Sequence, residues 1–391
     1  MVNNVRSSKK RTAQYLMVTW DGAGNLPPER SLVRALVSRG HQVDVLAHPS
    51  IQDKFEADGA RFHAYQNVLP YSSLQQMDLE SELQNTFDNI IFAQGVFEDT
   101  IALAKELNPD VMLIDGTLTY GLLAGKFLDA PTVAMWHSLY GLVLGGPFAD
   151  AFNSRIDELN SVGARHRLAP VSSYRELLEA DQVLVFSYGR GFDEHPDLPD
   201  NVIHVGPLRT IDPETKDAYA PTSDAPLVVV GLSTSYMDQH AVLQKICDAV
   251  AELPVQVLVT TGQAVSPDSL SLGANTIAQT FVSHDRVLPH ARLLITHAGH
   301  GTVAAGLAHG VPLLCIPLGR DQPLVAQKVV DLGLGEAVSA DESTEGIQQA
   351  IEQLLSDRDM RSRALAFAEQ LQTHDGMERA IEITESRVNR T

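Results

Sequence analysis

The sequence predicts an α/β protein made of two doubly wound domains with parallel sheets, and three observations predict it. Short β-branched or aliphatic runs alternate along the whole chain with longer stretches of 3.6-residue periodicity, the pattern of βαβ units. A segment rich in Pro, Asp and Thr and without periodicity, Gly206 to Pro226, divides the chain near its middle. A length of 391 residues exceeds what one hydrophobic core usually organises, so two domains of roughly two hundred residues each are expected.

In order, the strand-like runs of the first half are Tyr15–Trp20, Val43–Ala47, Val111–Asp115, Thr132–Trp136 and Val183–Ser187. Those of the second half are Leu227–Leu232, Val255–Thr260, Thr276–Val282, Leu293–Thr296 and Leu313–Pro317. Helical periodicity is plainest in Glu29–Arg39, where Leu32, Val33, Leu36 and Val37 share a face, and in Asp238–Glu252, where Val242, Leu243, Ile246 and Val250 do. From Asp341 to Arg387 the chain reads as nearly all helix, capped at Ser343. The expected division is a loose tail over 1–12, a first domain over 13–210, a linker over 211–226, a second domain over 227–370, and a terminal helix over 371–391 packing back on the first domain. Ligands of such folds sit at the carboxyl ends of the strands, so the cleft between the domains is the expected site.

Composition narrows the function. A formal charge of −20 disfavours nucleic acid and anionic membrane as partners, so any anionic ligand must be held locally by backbone donors, helix ends and a few His or Arg. The two cysteines, Cys247 and Cys315, have no metal-binding spacing and form no disulfide framework, which suits a reducing compartment. The basic first twelve residues lack an apolar core, and no apolar run approaches a membrane span. A cytoplasmic location is expected.

The chemistry gathers where the strand Leu293–Thr296 runs into His297-Ala298-Gly299-His300-Gly301-Thr302 and a small-residue helix closed by Gly310. A strand, a glycine turn and a helix start present free N–H groups and the positive end of a helix dipole, an anion site suited to a diphosphate without a metal. Gly299 and Gly301 allow close backbone approach, Thr302 offers a hydroxyl, and His297 offers a ring N–H, while packing is the default reading of His300. The next strand ends at Pro317 and leads to Asp321-Gln322, a carboxylate beside an amide. That pair can meet the donors and acceptors of a sugar's vicinal hydroxyls, and also reads as the cap of the helix that follows.

HAGHGT followed by Gly310-Val311-Pro312, Pro317 and Asp321-Gln322 at these intervals resembles the nucleotide-sugar signature of the UDP-glycosyltransferase superfamily, family GT1, and most of all its bacterial macrolide and natural-product branch. The resemblance spans essentially the whole chain after the tail, the first half only in outline. It implies a GT-B fold, two Rossmann-like domains facing an interdomain cleft, and inverting transfer from a UDP- or TDP-sugar to a small hydrophobic acceptor, with no metal or other cofactor. It also implies that the backbone at Val282 holds the base and that Ser233 and Thr234 reach the diphosphate. His284 stands where the family more often has Gln.

An inverting transfer needs a base for the acceptor hydroxyl. Counting back from Arg39-Gly40-His41, which resembles the family's ending of the first helix, Asn25 stands where the family's basic His would be. Asn cannot be a base near neutral pH. Asp21, His137 and Asp115 are the local candidates, Asp115 resembling the carboxylate that family members pair with their base. A phenol, enol or amide acceptor would lessen the need, which leaves O-, N- and C-linkage open. The acceptor surface is expected over Val68–Leu74, Phe87–Phe97 and Leu139–Phe152. Gly22-Ala23-Gly24 lacks the third glycine of a dinucleotide fingerprint, Pro27 standing there, so a nicotinamide cofactor is not expected. Two other functions remain open: a donor-binding auxiliary protein that has lost its base, and a nucleotide-sugar epimerase or hydrolase. The expected partners are the nucleotide sugar and the aglycone, with homodimerisation left open.

Overall fold

The computed structural model describes residues 11–208, 223–371 and 376–388. Most of the expected tail and linker lies outside the described residues. The first sheet contains β1 (Gln14–Val18), β2 (Gln42–Ala47), β3 (Arg61–Ala64), β4 (Val111–Asp115), β5 (Thr132–Trp136), β6 (Gln182–Val185) and β7 (Val202–His204). The second contains β8 (Leu227–Gly231), β9 (Gln256–Thr260), β10 (Thr276–Gln279), β11 (Ala291–Thr296), β12 (Leu313–Cys315) and β13 (Gly335–Ala337). Their spatial orders are β3-β2-β1-β4-β5-β6-β7 and β10-β9-β8-β11-β12-β13, parallel throughout. Each order reverses once, between β1 and β4 and between β8 and β11. Connections leave these points in opposite directions, opening a crevice at the strands' carboxyl ends.

Both faces of the first sheet are covered, which its unbroken apolar strands require. Leu16, Val18, Met112, Ile114 and Trp136 face one layer, while Tyr15, Met17, Leu113 and Met135 face the other. The first layer continues into the second domain through Val229, Leu294 and Val303, so the domains share an apolar seam.

The strands not foreseen from the sequence are β3, β7 and β13, each at a sheet edge and three or four residues long. Edge strands this short are half exposed and carry no periodicity to read. Conversely, the runs expected to reach Trp20, Val282 and Pro317 leave their ladders at Val18, Gln279 and Cys315, because their last residues become cleft loops. The first helix, Leu26–Ser38, starts ahead of the expected Glu29, with Pro27 and Pro28 in the first turn, where no N–H is missed. Ser343 caps Thr344–Ser356 by accepting from Gly346 N at 3.0 Å.

Helix Arg358–Leu371 packs on the second domain, with Ala364 against Gly310, whereas Gly376–Arg387 packs on the first. Ala380, Ile381 and Val388 enter the layer of Tyr15, Leu32 and Leu36. Arg39 pairs with Glu378 and Glu385, His41 Nε2 lies 3.1 Å from Glu385, and Arg387 pairs with Asp181. Replacing buried Ile381 by Ala is expected to cost about 2–5 kcal/mol, read as a lower denaturation midpoint.

Candidate active site

On the second domain, β11 turns at Ala298, which is buried at a φ of 64° and donates its N–H to Thr296 Oγ1 at 3.2 Å. Helix His300–Ala308 follows with Gly299 as N-cap and no side-chain cap. Thr302 and Val303 return their N–H groups to Gly299 O at 3.0 Å. The N–H groups of His300 and Gly301, ahead of the helical ladder, have no backbone acceptor among the described residues. A Cβ on Gly301 would meet nothing within 4 Å, so the space before this helix end is open.

Basic groups gather around that space. The buried His297 ring is pulled down to about pKa 4, chiefly by burial, with nearby Arg320 and His284 adding to the shift and the Gly231 backbone opposing it. The ring is therefore neutral near pH 7, and its buried Nδ1 has no protein partner. Gly231, at the end of β8, leaves room for the His284 ring: a Cβ there would lie 3.3 Å from His284 Nε2. His284, His297 and Arg320 thus form a local basic cluster in a chain of net charge −20.

The remaining expected donor residues divide. Thr234 is exposed at its turn, whereas the Ser233 hydroxyl is engaged with Ser235 Oγ at 2.9 Å and the turn is pinned by Gln239 Nε2 at 3.1 Å from Ser233 O. Val282 is buried beside the exposed Phe281. Thr302 is half-buried in the first turn. His300 bridges the domains, its Nε2 lying 2.9 Å from Ser187 Oγ beyond β6. Gln322 folds back on its own loop, its Oε1 accepting from Leu318 N at 2.8 Å and Gly319 N at 3.2 Å. Asp321 makes no side-chain cap; it crosses the cleft to accept from Ser138 Oγ at 2.5 Å. With Arg320 Nη2 donating to Glu82 at 2.5 Å and Tyr236 N to Ser73 O at 3.0 Å, the two domain faces are in contact.

On the first domain, the switch point holds a buried polar cluster. Asn25 Nδ2 donates to Asp115 Oδ2 at 2.9 Å, and also lies 3.2 Å from Thr19 Oγ1 and 3.1 Å from Trp20 O. Asp115 Oδ1 accepts from Thr117 N at 2.8 Å and Thr117 Oγ1 at 2.6 Å, bracing the turn after β4. His137, just after β5, sets Nε2 3.5 Å from Asp115 Oδ2 and 3.2 Å from Glu29 Oε1, with its ring against Phe186. Glu29 is fully buried and takes a 2.6 Å hydrogen bond from Thr19 Oγ1. Burial pushes its carboxyl up to about pKa 7, the contact with His137 and the Thr19 hydroxyl opposing and Asp115 adding. Burial pulls His137 down, but Glu29 and Asp115 outweigh it and leave the imidazole above its ordinary 6.5.

Asp21 stands apart. Its carboxylate accepts from Ser50 Oγ at 2.9 Å, Ser73 N at 3.2 Å and Ser73 Oγ at 3.0 Å, and so fastens the loop around Tyr71. The expected acceptor aromatics are largely interior: Phe92 and Phe152 are buried, and Phe152 packs on Tyr174 at 4.3 Å. Exposed apolar surface in those segments comes from Leu69, Leu74 and Leu144. Sequence reasoning missed Glu29, since an acid in a first helical turn reads by default as a helix-dipole partner. It also assigned no role to Arg320; the available signal was a cation at a strand end of an otherwise acidic chain.

Two facing parallel-sheet domains, with an uncapped helix end on one side and a buried acid–imidazole cluster on the other, define the class of GT-B glycosyltransferases. The profile of the C-terminal domain of erythromycin biosynthesis protein CIII-like proteins matches residues 244–378, and that of a glycosyl transferase 4-like domain matches 30–187. NDP-glycosyltransferase YjiC of Bacillus subtilis (strain 168) is 22% identical over 373 residues, covering 93% of this chain and 94% of that protein. The 4'-demethylrebeccamycin synthase of Lentzea aerocolonigenes is 23% identical over 431 residues, covering 96% and 100%. The crystal structure of CalG4, the calicheamicin glycosyltransferase, superposes with a TM-score of 0.81 at 24% identity, covering 97% and 99%. The chain is a glycosyltransferase, and these matches together support a GT-B glycosyltransferase of family GT1. Among the described residues no helix is long and apolar enough to cross a membrane.

Glu29 carries a pH signature. Its folded pKa is raised, so its contribution to stability is full below about pH 4.5 and is lost as pH rises through about 7. Glu29→Gln has no charge to desolvate, so its Tm relative to wild type should climb between pH 5 and pH 8 in a calorimetric series.

Proposed function

We propose that this glycosyltransferase moves a sugar from a UDP- or TDP-sugar to a small hydrophobic natural-product acceptor, with inversion at the anomeric carbon and without a metal. The observation that carries this reading is the uncapped start of helix His300–Ala308, ringed by His284, His297 and Arg320. Charge develops on the departing diphosphate, and N–H groups and the Arg320 guanidinium already oriented at that place stabilise it with little reorganisation. His297, neutral and with a free Nδ1, can bond a phosphate oxygen through the proton its ring carries or acquires. In the fully engaged cleft Asp321 holds Ser138, so a sugar hydroxyl entering there takes over an existing hydrogen-bonding place.

Inversion fits the disposition of the two chemistries. The diphosphate site lies on one domain and the acid–imidazole cluster on the other, so attack and departure occur on opposite faces of the sugar. The acceptor class follows from the apolar Leu69, Leu74 and Leu144 and from the natural-product glycosyltransferases that the chain resembles. O-linked transfer is the first expectation, with N- or C-linkage reserved for acceptors that shed a proton more easily.

UDP or TDP at a hundred times its Kd should stabilise the folded chain by about 2.7 kcal/mol, and EDTA should leave that shift unchanged. NAD should give none. Gly301→Val, whose first carbon has free space, should keep the fold and abolish the shift, because its side chain fills the anion's place. A shift that needs Mg²⁺, or one that survives Gly301→Val, would contradict this reading.

A further inference from the structure

We infer that the acceptor's proton is taken by Nδ1 of His137, with Glu29 and Asp115 as positioning residues that hold its Nε2–H, in place of the histidine whose position Asn25 occupies. The inference rests on the transferase reading above and assigns its base.

Four observations carry it. Asn25 is bound to Asp115 Oδ2 at 2.9 Å through its amide, so a neutral donor fills the place beside that carboxylate. The same Asp115 oxygen lies 3.5 Å from His137 Nε2, and Glu29 Oε1 lies 3.2 Å from it. Once pH rises past the value of about 7 to which burial lifts Glu29, ionised carboxylates only accept, so the ring nitrogen between them carries the proton and the neutral ring keeps its lone pair on Nδ1. Both ring nitrogens are buried without a hydrogen bond of good geometry, but Nε2 has the two carboxylates within ion-pair distance and Nδ1 has neither, so Nδ1 is the nitrogen left for an incoming group.

The surroundings agree with the assignment. His137 is adjacent in the chain to Ser138, whose hydroxyl donates to Asp321 of the donor domain, so the imidazole sits one residue from the seam where the two substrates would meet. The other sequence candidates are committed elsewhere: Asp21 to Ser50 and Ser73, Asp115 to Thr117 and Asn25. The groups facing the imidazole are Glu29 from the first helix, Asp115 from β4, and His300 from the second domain, with Phe186 against the ring.

The step balances simply. The acceptor O–H proton passes to Nδ1, and the oxygen's electron pair forms the new bond to the anomeric carbon. The bond from that carbon to the diphosphate oxygen breaks, its pair leaving on the nucleoside diphosphate. The imidazolium is neutralised by the carboxylates at Nε2 until its new proton returns to water.

The test measures kcat, KM and the pH profile for wild type, His137→Gln and Glu29→Gln with phenolic aglycones of graded acidity, alongside stabilisation by UDP and TDP. His137→Gln should lower kcat by about 100-fold or more while nucleotide stabilisation persists, and the loss should shrink for the most acidic phenols. Wild-type kcat/KM should rise with pH through a midpoint above 6.5, and Glu29→Gln should move that midpoint to lower pH, since removing a neighbouring carboxylate makes the imidazole easier to deprotonate. His137→Gln retaining kcat within about threefold with nucleotide binding intact would overturn the assignment. So would a wild-type midpoint at or below 6, a readout that does not depend on any variant folding. Glu29, Asp115 and His137 also place their ligand atoms close enough to share a metal ion. Wild-type turnover abolished by EDTA and restored by a divalent cation would therefore also overturn the base assignment. If neither nucleotide stabilises wild type, the transferase reading fails and this inference falls with it.

Discussion

The chain sets its basic groups and its buried acids on different lobes, and the geometry of two parallel sheets puts them there. A parallel sheet delivers every strand's carboxyl end to one edge, and a single reversal of strand order opens a crevice there. The protein does this twice and turns the crevices toward one another. After β10, β11 and β12 the loops bring His284, His297 and Arg320 around a helix start, whereas those after β1, β4 and β5 bring Asn25, Asp115 and His137. One half gathers His284, His297 and Arg320, and the other sets an imidazole beside two acids.

Burial sharpens both halves. In a solvated setting, one arginine on a chain of net charge −20 would be screened and outnumbered. Placed at a strand end beside His297, whose burial keeps the ring neutral, Arg320 stands with free N–H groups before the helix. On the other domain, burying Glu29 completely raises its carboxyl, while contact with the imidazole beside it pulls the other way. The Thr19 hydroxyl supports buried Glu29, and the Thr117 hydroxyl and the Asn25 amide support buried Asp115.

Much of this was legible in the residues. Central strands such as Val111–Asp115 and Thr132–Trp136 are covered on both faces and announce themselves as continuous apolar runs, which the edge strands β3, β7 and β13 cannot do. The anion site was readable because glycine spacing and a strand-to-helix transition form a local pattern. The acid–imidazole cluster was not, since Glu29, Asp115 and His137 come from three elements that only the fold brings together. Side-chain commitment was hidden for a similar reason: nothing near Asp21 in sequence reveals Ser73, and nothing near Asp321 reveals Ser138.

The return of the final helix to the first domain means that the backbone passes between the lobes twice, once in each direction. Two covalent connections therefore tie the lobes together. Widening the gap to admit an aglycone would then break Ser138–Asp321, His300–Ser187 and Arg320–Glu82 while Arg39, His41 and Arg387 keep their grip on the last helix and its partner strand layer. The last helix is thus held to the first domain by buried Ala380 and Ile381 as well as by these ion pairs, and it stays a part of that lobe whatever enters the cleft.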